Sequence, residues 1–335
     1  MYIVHNYYQA VFFCIITMIC WGSWANTQKL ANKTWRYELY YWDYVLGIFL
    51  FSLISALTLG SFGNEGRSFM TDLGQAENKN IISALIGGVV FNAANILLSA
   101  AISIAGMSVA FPVGVGIALV LGVIINYIGM PVGDSYLLFG GVFLVTIAIL
   151  LNAQAYKLKS AGTENTASSK GIIISIVAGI LMAFFYRFIA ASMDIENFTS
   201  PEAGKMTPYT AVFIFSIGIL LSNIIFNTIL IKKPFVGQPT SYKAYFSGSF
   251  GTHFTGILGG LIWGLGNSLN LIAAGKAGPA ISYGLGQGAT MIAALWGVFV
   301  WKEFKGADKN VKNKLALMFL FFIIGITLII IAGQS

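Results

Sequence analysis

Charge is scarce in this sequence: 19 basic and 12 acidic residues stand among 335, a share of 9%, where a soluble domain carries about 25%. So few charges cannot cover a chain of this size in water, which excludes an ordinary soluble protein. Cysteine is nearly absent, and Cys14 and Cys20 share one apolar segment, so they build neither a disulfide framework nor a metal site. Histidine is limited to His5 and His253, with no carboxylate cluster and no nucleophile–base spacing. An enzyme, a catalytic residue set, a metal and a cofactor are therefore not expected. The net charge of +7 comes without a long basic run, which argues against nucleic acid as a partner.

What abounds is apolar: 57% of the residues are hydrophobic, the composition of a polytopic membrane protein. Stretches of roughly 20 apolar residues, the length that crosses a bilayer, fall near 9–29, 39–60, 80–105, 107–128, 135–154, 171–193, 208–231, 252–275, 279–301 and 314–333. The first is too long and too polar at its end for a secretory signal and has no basic region before it, so it is read as a span. The loops after spans one, five, seven and nine hold 14 of the 19 basic residues: Lys29, Lys33, Arg36, Lys157, Lys159, Lys170, Lys232, Lys233, Lys243, Lys302, Lys305, Lys309, Lys312 and Lys314. The other side holds Arg67, Lys79, Lys205 and Lys276, together with most of the acids, while Arg187 falls inside span six. By the positive-inside rule both termini lie outside the cytoplasm of a cell inner (plasma) membrane.

GGVVFNAANILLSAAISIAGMSVAFPVGVG (87–116) and GGLIWGLGNSLNLIAAGKAGPAISYGLGQG (259–288) align without a gap at an offset of 172, with nine of thirty positions identical. Shared Gly and Ala alone would reflect membrane composition, but the pair Asn95/Asn267 argues for a repeat. Each repeat holds five spans, an odd number, so the second is inverted relative to the first. The expected fold is all-α, ten transmembrane helices in two inverted five-helix repeats, 1–165 and 166–335. Such symmetry suits a secondary transporter that exposes a midplane site alternately to each side.

YELYYWDY (37–44), GGVVFNAAN (87–95), AGMS (105–108), KPFVGQPTSYKAYF (233–246), GGLIWGLGN (259–267) and WGVFVWKEF (296–304) resemble the drug/metabolite transporter superfamily, and within it the ureide permease family most closely. The stretch 106–124 is also similar to rhamnose-proton symporters and to glucose/ribose uptake proteins. The resemblance implies ten helices in inverted repeats and proton-linked uptake of a small neutral solute such as allantoin or uracil; a proton-coupled monosaccharide importer is the alternative. Plant ureide permeases carry a long hydrophilic central loop with a nucleotide-binding-like motif. Residues 155–170 are short and lack GxxxxGK, so regulation through that loop is not expected.

Polar side chains are costly inside apolar helices, so those that remain are site candidates. Asn92 and Asn95, with Ser99, share one face of span three; Asn267 and Asn270 share one face of span eight. Their amides suit a ureide, a nucleobase or sugar hydroxyls, or else hydrogen-bond between helices. Tyr283, Gln287 and Thr290 in span nine oppose Phe111, Val115 and Ala118 at the matched positions of span four. This gives one polar and one apolar wall, apt for a flat ring. Trp21 and Trp24 in span one, with Phe91 and Trp263 at the matched repeat position, would supply stacking surfaces; packing against lipid or the interface is the alternative, more so for Trp24 than for Trp21. Asp43, within span two, is the candidate proton carrier, or an interfacial carboxylate paired with Arg36. Arg187 is grouped with it in proton coupling, either pairing with Asp194 or Glu196 or orienting the substrate. Span one holds no acid, which disfavours cation export, and the cavity lacks the clustered cations that phosphate would require. The glycines at 114–116 and 284–288, and the ladder Gly256, Gly260, Gly264, read as close-packing surfaces rather than phosphate loops. Pro112 is expected to kink span four at mid-membrane depth. The expected partners are a small-molecule substrate, protons and membrane lipid, with the chain a monomer or homodimer.

Overall fold

The computed structural model describes residues 1–31, 35–159 and 169–334, with backbone alone at 107–109. Lys33 and positions 160–168 of the central connection lie outside the described residues. The elements are α1 (Tyr7–Ala31), α2 (Tyr37–Leu57), a short α3 (Phe69–Gln75), α4 (Asn78–Ala105), α5 (Met107–Gly129), α6 (Ser135–Lys159), α7 (Ser169–Ala191), α8 (Pro208–Lys232), a short α9 (Tyr242–Phe246), α10 (Phe250–Ala277), α11 (Pro279–Gln287), α12 (Ala289–Leu295), a π-helical turn (Trp296–Val300) and α13 (Lys309–Ala332). Ten stretches are long and apolar enough to cross a membrane, α11 to the π turn forming the ninth.

Several helices outrun their apolar stretches, because backbone hydrogen bonding continues into the polar zone where charges are tolerated. α6 reaches Lys159, and α13 starts at Lys309 because Asp308 caps it, its Oδ1 accepting the Val311 N–H at 2.8 Å. α4 and α10 have 28 residues each, about 42 Å at 1.5 Å per residue, against a hydrocarbon core of about 30 Å. They therefore tilt or protrude. Large apolar side chains such as Phe12, Phe143, Ile225 and Ile323 are exposed on the outside, as a lipid-facing surface requires.

Lipid tails are as apolar as leucine, so helices in a bilayer associate through close approach and polar contacts. A Cβ added at Gly88 would stand 2.1 Å from the Phe215 carbonyl oxygen, and one at Gly260 2.0 Å from that of Tyr44. The backbones of α4 and α8, and of α10 and α2, touch at these points. The ladder Gly256, Gly260, Gly264 faces α2 throughout, against Asp43, Tyr44 and Phe51. α4 packs along α7 and α8, and α10 along α1 and α2; α5 lies on α7 as α11 and α12 lie on α1; α6 pairs with α13, α2 with α8, and α5 with α11. Exchanging the first five spans for the last five leaves these neighbours unchanged. Gly106 and Gly278, matched at the offset of 172, both adopt the positive φ that glycine favours, +81° and +77°, and each ends one span and opens the next.

The loops sort into two faces. On the basic face Lys29 pairs with Glu303, Arg36 donates to the Gln238 carbonyl, Lys159 to that of Lys305 and Lys170 to that of Phe235. Gly106 lies here too, its neighbour Ala105 against Gly171. On the opposite face Arg67 pairs with the fully buried Asp72 at 2.8 Å and donates to the carbonyls of Pro201, Glu202 and Lys205. The N-terminal amine donates to the Glu65 carbonyl, the Asp134 N–H donates to that of Ala332, and Gly278 packs on Val132. Both termini thus share the acid-rich face.

One expectation fails. Pro112 is not at mid-membrane depth: it sits in the second turn of α5, near the basic face, and the helix continues beyond it to Gly129. So early in a helix, proline deprives only a first-turn carbonyl of its donor. The interruption falls instead in the ninth span, at Gly288.

Candidate functional site

Six spans converge on a central cavity of about 40 Å³. α1 contributes Trp21, α4 Phe91 and Asn95, α10 Trp263 and α11 Gln287, with Phe111 of α5 and Phe185 of α7 completing the apolar side. The rings of Trp21 and Trp263 are nearly parallel, 9° apart with centroids at 6.0 Å, and Phe91 backs Trp263 at 4.2 Å. Phe91 and Trp263, the matched aromatic positions of the two repeats, therefore touch in the middle of the bundle. Glycine makes the indole's place: the Trp21 ring lies against Gly266 and Gly286, where a Cβ would stand 2.8–2.9 Å from its carbons. The indole Nε1 of Trp21 is buried without a partner among the described residues. Trp24 lies away from lipid: it is buried at 3% exposure and lines the cavity, with Tyr44 of α2 closing over it at 4.9 Å.

The cavity wall carries the carboxamides of Asn95 and Gln287 and no charged side chain among the described residues. Asn95 Nδ2 donates to the Tyr41 hydroxyl at 3.3 Å. Asn267, one turn along α10 from Trp263, is buried with both amide atoms unpartnered among the described residues, although it does not line the cavity. The other candidates lie elsewhere. Asn92 donates to Ser222 Oγ at 2.9 Å, joining α4 to α8, and Asn270 donates to the Ser282 carbonyl at 2.8 Å, joining α10 to α11. Tyr283 donates to the carbonyls of Ala118 and Met182, at 3.2 and 3.3 Å. These are interhelical bonds. Thr290 donates to the Gln287 carbonyl and faces a second, smaller cavity.

Asp43 is buried at 1% exposure on α2, at the basic face, and it does not pair with Arg36. Arg36 is taken by Glu38, through Nη2 at 2.8 Å and Nε at 3.2 Å, a planar fork that suits one carboxylate. Asp43 instead accepts from the Tyr245 hydroxyl at 2.7 Å and meets His253 Nδ1 at 2.9 and 3.0 Å. Burial, and then the Asp43 carboxylate, raise the Tyr245 hydroxyl above its ordinary pKa, so it stays a donor. His253 and Tyr245 escaped the sequence reading, since they lie about 200 residues away in other elements. The available signal was His253 one turn before Gly256, the glycine that admits Asp43. Arg187 makes no ion pair with Asp194 or Glu196 among the described residues. Its guanidinium lies over Gly129 at the end of α5, and Asp194 is occupied by the Glu202 N–H at 2.8 Å.

Ten spanning helices around an aromatic cavity that carries no charged side chain among the described residues define a multi-pass membrane transporter. The ureide permease family model matches residues 40–170 and 159–332. The chain belongs to the ureide permease family. Ureide permease 1 of Arabidopsis thaliana is 24% identical over 384 residues, and ureide permease 4 of the same plant 25% identical over 395, each alignment covering 98% of both chains. Transmembrane protein 144 homolog B of Dictyostelium discoideum is 29% identical over 166 residues, 48% of this chain and 40% of that one. A solved crystal structure with 12% identity shares the fold, at a TM-score of 0.59 over 95% of this chain and 97% of the other.

Proposed function

We propose that the chain imports a small neutral ureide or nucleobase, coupled to protons, by alternating access between inverted repeats 1–165 and 166–335. The observation that carries this reading is the cavity wall: aromatic faces that suit a flat ring, with the carboxamides of Asn95 and Gln287 beside them and no charged side chain among the described residues to select an ion. The names of the relatives point the same way. The exchange symmetry of the helix neighbours, and the placement of Gly106 and Gly278 at opposite faces, support the inverted repeat. The basic face is taken as cytoplasmic, which leaves both termini outside the plasma membrane. Asp43, held by Tyr245 and His253, is the proton carrier in this scheme. Arg187, near the opposite face, is left out of it.

The test is uptake of radiolabelled allantoin, uracil, glucose and ribose into proteoliposomes with an imposed pH gradient. Allantoin or uracil accumulates, and collapse of the gradient abolishes accumulation. Accumulation of a sugar alone would overturn the substrate class, and uptake indifferent to the gradient would overturn the coupling. Asp43→Asn retains counterflow exchange and loses gradient-driven accumulation; undiminished accumulation removes Asp43 as the carrier.

A further inference from the structure

On the basic side of the central cavity lies a second cavity of about 20 Å³, bounded by Pro112 of α5, Asn152 and Tyr156 of α6, and Thr290 of α12. Phe111 lines both cavities, so one phenyl ring separates them. The second cavity has polar groups to spare. Asn152 Oδ1 is buried without a partner among the described residues, and the Thr290 oxygen spends only its proton, on the Gln287 carbonyl.

Its floor is fastened. The Tyr156 hydroxyl donates to Glu303 Oε2 at 2.5 Å, and Lys29 Nζ donates to Glu303 Oε1 while resting over the Trp301 ring at 4.4 Å. Further up α1, Trp301 donates to Asn26 Oδ1 at 2.6 Å and Trp296 to Ser23 Oγ at 2.9 Å. Side chains at 23, 26 and 29, one face of α1, thus tie that helix to the π turn and the segment after it. Tyr156 brings α6 to the same carboxylate. Lys302, just before Glu303, has φ +53°, a left-handed conformation for a side chain that prefers otherwise.

We propose that this second cavity is an exit subsite, which receives a neutral N–H-bearing solute between the central cavity and the basic face and is closed by a latch of Tyr156, Glu303 and Lys29. The inference rests on the transport reading above and adds the route. Unpaired oxygens at Asn152 and Thr290 are acceptors and call for a solute with N–H donors, as in an amide or a ureide. An anion would meet those oxygens with no cation in the wall. Phe111 must swing for the solute to pass, and breaking the bonds of Glu303 lets Tyr156 follow.

The chain suits cysteine labelling, because Cys14 and Cys20 are both buried. Ala293→Cys, in the same cavity wall but outside the proposed acceptors, is made in the purified full-length protein and treated with a small cationic methanethiosulfonate, and its modification rate is read by intact mass. Glu303→Gln raises that rate by about tenfold or more, the effect of losing charge-assisted hydrogen bonds, and leaves Ser68→Cys on the opposite face unchanged. Lys29→Met, the second variant should Glu303→Gln not fold, raises it likewise. Allantoin slows labelling in the latch-opened protein. A rate unmoved by either latch variant overturns the route, and no protection by allantoin in a protein that still takes it up overturns the subsite. If no ureide is taken up, the labelling rates still test the route, so failure of the transport reading and failure of the latch are told apart.

Discussion

Residues 87–116 and 259–288 align along their whole length, yet they agree in some respects and differ in others. Both approach a neighbouring helix backbone to backbone, at Gly88 and Gly260, both end their first helix at a glycine of positive φ, and both send an aromatic ring to the centre, Phe91 and Trp263. Their polar groups diverge. Asn95 is bonded to Tyr41 and lines the cavity, while Asn267 is unpartnered behind it. The second helix of one, α5, is continuous through a proline, whereas its counterpart breaks at Gly288 into α11 and α12 and then a π turn. Close contacts between backbones leave no room for substitution, so the scaffold positions stay alike. Side chains that line the cavities are free of that constraint and differ, which gives symmetric packing around an asymmetric interior.

The largest effect is expected where the two stretches agree. Gly88→Val and Gly260→Val each force atoms against a carbonyl oxygen, at a cost of about 3 kcal/mol or more, and both should lose the monodisperse peak in detergent size exclusion. Loss in one alone would mean that the two crossings are not equivalent. Next come the paired rings. Trp263→Ala should raise the allantoin KM by about tenfold to a hundredfold, the loss of about 1.5–3 kcal/mol of buried aromatic contact, and Phe91→Ala, which backs the indole, should raise it less. The asparagines should shift thermal stability with opposite signs. Asn95→Leu leaves the Tyr41 hydroxyl without its amide, a loss of about 1 kcal/mol, whereas Asn267→Leu removes an unpaired buried amide and stabilises by a similar amount, read as melting shifts of about 2 °C. The smallest change belongs to Pro112→Ala, within about 1 kcal/mol, since only a first-turn carbonyl regains a donor.

Much of this was legible in the sequence because lipid imposes a simple rule on composition. Ten apolar stretches became ten spans, and the alternation of lysines between loops matches the two faces on which those loops meet. Trp21, Asn95, Trp263 and Gln287 were legible as cavity residues because a polar or aromatic group at mid-helix needs a reason to be there. Asn92, Asn270 and Tyr283 satisfied the same criterion for another reason, bonding helix to helix, and spacing along one helix does not tell the two uses apart. The His253–Asp43 contact and the Glu303 latch were not legible. Each joins residues far apart in the chain, and their meeting depends on which helices become neighbours. The break at Gly288 was hidden too, since the same stretch reads equally well as one apolar helix.

The neighbour pattern has a consequence for how the chain is made. α1 buries its face against α10, and α4 against α7 and α8, so the first five spans enter lipid before their partners have been synthesised. The Thr17 hydroxyl waits for the Gly266 carbonyl, and the Asn92 amide for Ser222. Until α8 and α10 emerge from the ribosome, Thr17 keeps only the Phe13 carbonyl of its own helix, and the Asn92 amide has water, lipid headgroups or the insertion machinery to bond with. The packing of the early helices is therefore completed only once α8 and α10 have entered the membrane.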